Sequence, residues 1–110
     1  MATQRSAFVG PESRPVENPD DLFTGDFVKA SGNVHLPNHI LWSGRSRDFD
    51  LNSLRDRVRV YELVITEGNS DDIRFFIDPK RLVELWPRIL LPMFVRRPWE
   101  EWLRSQGVDV

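Results

Sequence analysis

The chain has 110 residues, no cysteine and a formal charge of −2, with 40% hydrophobic and 29% charged residues. That is enough for one domain with a single modest core and too little for two. The balance is that of a globular protein: no apolar run approaches the roughly 18 residues of a membrane span, and a disulfide framework or a cysteine nucleophile is excluded.

The chain opens with "MATQRSAFVGPESRPVENPDD", which lacks the apolar centre of a secretory signal, so a cytoplasmic protein is expected. Pro11, Pro15 and Pro19 stand among polar residues, and only Phe8, Val9 and Val16 offer apolar bulk. Residues 1–21 therefore read as a flexible arm that buries too little to offset its ordering entropy, and residues 22–110 as one globular domain. From Asp21 to Asn52 the pattern is irregular, broken by Gly25, Gly32, Pro37 and Gly44. Short strands around 26–29 and 39–42 are compatible with a short β-hairpin, and the segment is expected to lie across the helices and insert its aromatics.

Helical signals begin at "LNSLRDRVRVYELVITEG". Asn52 or Ser53 caps it, Asp56 complements the dipole in the first turn and Gly68 ends it. Leu54, Val58, Tyr61 and Ile65 recur at helical spacing, with Leu63 and Val64 widening the apolar face. Ser70 is then expected to cap "DDIRFFI". Asp78 and Pro79 start "KRLVELW", with Leu82, Leu85 and Trp86 on one side. Pro87 and Pro92 break the next stretch into turns, and Pro98 opens a last helix closed by Gly107. The expected fold is mainly α: a compact cluster of four to six short helices with an irregular N-terminal segment.

Few motifs in this chain carry chemistry. His35 and His39 have the i, i+4 spacing of two metal ligands on a helix, but Pro37 between them argues against that helix, and they read as loop histidines with no metal. "DFDLNS" at 48–53 starts like a calcium loop and fails where glycine and glutamate belong, at Ser53 and Arg59. With no Gly-rich phosphate loop and no Gly-x-Ser-x-Gly elbow, the chain is expected to be neither enzyme nor cofactor binder.

The basic residues are 13 Arg and 2 Lys. Five basic and seven acidic residues lie in 1–50 and ten of each in 51–110, so neither half has the basic excess of a non-specific DNA binder. Arg55, Arg59 and Glu62 read as a solvated helix face, with Arg59 near both Glu62 and Asp56. Arg45, Arg47 and Arg57 lack evident local partners and are candidate contacts for a protein partner. "MFVRRPWEEWL" adds Arg96, Arg97, Trp99 and Trp102, residue types enriched in interface cores, although tryptophans in so small a domain also serve as core. The alternative is a DNA-binding regulator whose helix-turn-helix spans about 70–86, with Arg74, Lys80 and Arg81 facing the groove. Asp71, Asp72, Asp78 and Glu84 crowd the same segment and weigh against it.

The run from "LPNHILWSG" through "RDFDL" and "RVYELVITEG" to "LWPRILLP" and "VRRPWEEWL" resembles small actinobacterial proteins of uncharacterised function, loosely associated with toxin–antitoxin loci. The resemblance covers about residues 36–103 and implies a bacterial accessory protein without assigning any residue a role. Together these readings predict a non-catalytic module that captures a protein partner, such as a cognate toxin, in an antitoxin-like or regulatory role, with a homodimer also compatible.

Overall fold

The computed structural model describes residues 16–41 and 48–110. Two short strands, β1 (Asn33–His35) and β2 (Asp48–Asp50), form an antiparallel hairpin and are followed by α1 (Leu54–Glu67), α2 (Ser70–Phe76), α3 (Pro79–Leu85), a 3-10 turn (Trp86–Arg88) and α4 (Met93–Ser105). The fold is thus mainly α, a compact helical cluster with one small hairpin. None of the described helices is long and apolar enough to cross a membrane.

Local chemistry sets most of the boundaries. Ser53 caps α1 by accepting from Asp56 N–H, and Gly68 ends it. For α2 the cap is Asn69 rather than the expected Ser70: its side chain and that of Asp72 form a reciprocal capping box. Asp78 caps α3 ahead of Pro79, as the sequence predicts. α4 departs further from expectation, because it starts at Met93 and carries Pro98 inside it. The proline forfeits one backbone hydrogen bond, yet the extra turn brings Val95 into line with Trp99, Trp102 and Leu103, all buried on one stripe. Gly107, at φ 86°, closes the helix while Val108 N–H reaches back to Leu103 O at 3.0 Å and Gly107 N–H to Arg104 O at 3.0 Å.

The core runs from Leu22, Leu36, Ile40 and Leu51 through α1 to Trp86, Ile89 and the α4 stripe. On α1 the buried residues are Val60, Tyr61, Val64 and Ile65, whereas Leu54 is exposed, so the inward face is rotated from the expected 54-58-61-65 series. Residues 16–21, expected to belong to the arm, are packed as well. Val16 lies against the core, Glu17 Oε1 accepts from both the N–H and the hydroxyl of Ser70 at 2.7 Å, and Asn18 donates to Pro98 O. The packed residues therefore begin at Val16 and not at Leu22.

The strands fall at 33–35 and 48–50 instead of 26–29 and 39–42. Each contains a single apolar residue, too short a run to show alternation, and their pairing is fixed by contacts distant in sequence. Tyr61 ties α1 to the start of α3: its buried hydroxyl accepts from Arg57 Nη1 at 3.1 Å on its own helix and from the N–H of Asp78, the α3 cap, at 3.1 Å. Tyr61→Phe keeps the ring and removes the acceptor. Chemical denaturation should show a loss of about 1–3 kcal/mol with an unchanged m-value.

Candidate functional site

Among the described residues, the partner-contact candidates from sequence lie on α1 and α4, and most are engaged within the domain. Arg45 and Arg47 lie outside the described residues. Arg57 is engaged inside the domain, donating from Nε to Leu51 O at 3.0 Å and stacking over Tyr61. Arg96 is likewise committed, to Glu100 at 2.9 Å, to Ile89 O at 2.8 Å and to the face of Trp86 at 4.7 Å. Trp99 and Trp102 are buried, at 0% and 7% exposure, so they are core and not anchors for a partner. Their indole N–H groups find no acceptor among the described residues, a cost outweighed by the area these rings bury. Of that set among the described residues, only Arg97 is exposed without an ion pair.

The DNA-facing candidates are similarly divided. Arg74 pairs with Asp21 at 3.1 Å and Asp71 at 3.0 Å, and these carboxylates, Asp21 first, raise its pKa. Arg81 pairs with Glu84 at 3.0 Å, and Lys80 alone stands free on the surface. The two histidines face separate carboxylates, His35 to Asp48 and His39 to Asp72, each at 2.6 Å.

A different surface emerges on the other side of the hairpin. The backbone from Val28 to Ser31 runs past the C-terminal end of α2, with Ala30 N–H donating to Phe75 O at 2.9 Å. Lys29 Nζ caps the same helix end, donating to Arg74 O at 2.6 Å and Ile77 O at 2.8 Å. Between this segment, β1 and α2 lies an open groove of about 430 Å³ lined by Val28, Ala30, Val34, Phe75 and Phe76 among others. Two of its walls are exposed apolar side chains, Val28 at 83% and Phe75 at 45%.

Hydrogen bonding in the hairpin decides what β1 offers to that groove. The register pairs Asn33 with Asp50, Val34 with Phe49 and His35 with Asp48. Leu51 N–H donates to Gly32 O at 2.8 Å, so hydrogen-bonded pairs fall at 32/51 and 34/49. The backbone groups of Asn33, Asp50 and His35 then point out of the hairpin. On the β2 side Asp50 confirms this alternation: its N–H donates to Asp56 Oδ2 at 2.9 Å and its carbonyl accepts from Ser53 N–H at 2.9 Å. On the β1 side the N–H and C=O of Asn33 and His35 have no partner among the described residues. β1 is an open edge beside an apolar groove.

Sequence reasoning passed over this surface, although one signal was legible. Ile73, Phe76 and Ile77 follow helical spacing into the core, which leaves the adjacent Phe75 pointing elsewhere. The site's one charge is Lys29. Its two acceptors are neutral carbonyls, and desolvation lowers its pKa against the opposing pull of Asp78 and Asp21. An ammonium has a third donor, which no described residue takes.

Because the folded pKa of Lys29 lies below its ordinary 10.5, the unfolded chain holds more protons between the two values. Stability should therefore rise with pH across that interval, and in urea denaturation the rise should be absent from Lys29→Met, so that it appears in the difference between the two chains. Comparison with known protein families, with curated proteins and with solved structures finds no match for this chain.

Proposed function

We propose that this protein is a non-catalytic binding module that captures an extended segment of a protein partner by strand addition to the outer edge of β1. The observation that carries the reading is the pair of outward-facing backbone units at Asn33 and His35, set beside a groove walled by Val28, Val34 and Phe75. An added strand draws affinity from main-chain hydrogen bonds and specificity from side chains that drop into pockets at alternate positions. The matching segment is apolar at alternate residues and carries a carboxylate for the third donor of Lys29, whose two hydrogen-bond acceptors are both neutral carbonyls. A cytoplasmic antitoxin-like or regulatory role, with a toxin-like protein as captured partner, fits a module of this kind.

The DNA-binding alternative has less behind it. Arg74 and Arg81 are paired with carboxylates, and α3, the helix that would enter the groove, has seven residues and is capped by an aspartate.

His35→Pro separates strand addition from other modes. The N–H it deletes faces outward, so no hairpin bond is lost, and Val34 before it is already extended. In affinity capture from lysate of the source organism, the unmodified chain and His35→Ala should retain a stoichiometric protein partner through nuclease treatment and high salt. His35→Pro and Phe75→Asp should each cut recovery at least about tenfold, a loss of roughly 1.4 kcal/mol or more. Recovery that requires intact nucleic acid and collapses with salt would transfer the assignment to a DNA-binding regulator.

A further inference from the structure

We infer that, when no partner is bound, the β1 edge pairs with β1 of a second copy, the two strands running antiparallel about a two-fold axis at Val34. The inference rests on reading that edge as a strand-docking site. Its support is that the edge fits its own copy in one register, with no like-charged carboxylates brought together and exposed apolar side chains beside the seam.

Only one antiparallel register uses both outward-facing residues of each strand, Asn33 of one copy against His35 of the other, and the reverse. Sliding one way calls on residue 31, which lies beyond the bend where Gly32 takes φ 64°. Sliding the other way calls on Pro37, which has no N–H to donate. In the permitted register a neutral amide faces an imidazole, and no carboxylate stands on either β1 strand. Asp48, the carboxylate held by His35, stays on the distal strand. Val34 meets its symmetry mate, and Val28 and Phe75 of each copy flank the seam, where pairing takes their exposed apolar surface out of water.

Such an interface is isologous, so it closes at two copies and does not propagate into a fibre. The seam is three residues long, which points to weak association with a Kd on the order of 10–100 µM. A partner strand and a second copy would compete for one edge, and dissociation of the dimer would precede capture.

The absence of cysteine makes this register directly testable, because Val34→Cys would be the sole thiol. At the non-hydrogen-bonded position of an antiparallel pair the Cα atoms are about 4.5 Å apart, within disulfide range. Under mild oxidation Val34→Cys should form covalent dimer at least about tenfold faster than Leu90→Cys, an exposed control at 79%. Sedimentation equilibrium of the unmodified chain should show a reversible monomer–dimer equilibrium that His35→Pro abolishes without loss of helical circular dichroism. Equal oxidation rates, a dimer that survives His35→Pro, or an unmodified chain still monomeric at about 1 mM would each overturn self-pairing. Partner capture sensitive to His35→Pro would stand even then, so the two readings fail separately.

Discussion

Asp56 joins the helical half of the molecule to the hairpin, and the placement of the open β1 edge follows from that junction. The backbone N–H of Asp56 donates to Ser53 Oγ at 3.3 Å, while its side chain accepts from Asp50 N–H at 2.9 Å. One residue thus starts α1 and occupies an outward-facing donor of β2. The hairpin is held against α1 on its β2 side, and the β1 edge is left open among the described residues. Were this junction lost, the cap, the strand position and the one-sidedness of the edge would go together. Contacts of this density couple strongly when mutated, so their contributions are not additive.

The same economy explains why Arg57, Arg96, Trp99 and Trp102 are engaged inside the domain. A chain this short has few residues with which to build a core, and Trp86, Trp99 and Trp102 supply much of the available bulk. Arg57 and Arg96 satisfy loop and turn carbonyls at Leu51 and Ile89 and stack on the rings beneath them. Interface composition and small-domain core composition coincide in these residue types. Burial separates them, and here it assigns Trp86, Trp99 and Trp102 to the core.

Much of the fold was legible in the residues themselves. The Ser53, Asp78 and Gly107 signals mark helix ends because capping is a local interaction, read over a few neighbouring positions. Where choices depended on distant contacts the local reading slipped. Pro98 looks like a helix start until Val95 is seen to be buried in the same stripe as Trp99 and Trp102, and the inward face of α1 is rotated by what packs on it. The hairpin and its open edge were least legible. A strand with one apolar residue has no period, and whether a backbone N–H is satisfied depends on a partner elsewhere in the chain.

The central claim is that Asn33 and His35 present unpaired backbone groups while Val34 between them is paired within the hairpin. Residue-resolved amide hydrogen exchange on dilute free chain measures this directly. The account predicts a slow amide at Val34 flanked by fast ones at Asn33 and His35, with the fast pair slowing as an added strand docks. Uniform protection of all three in dilute chain, or exchange at Asn33 and His35 that no bound partner or second copy alters, would contradict it.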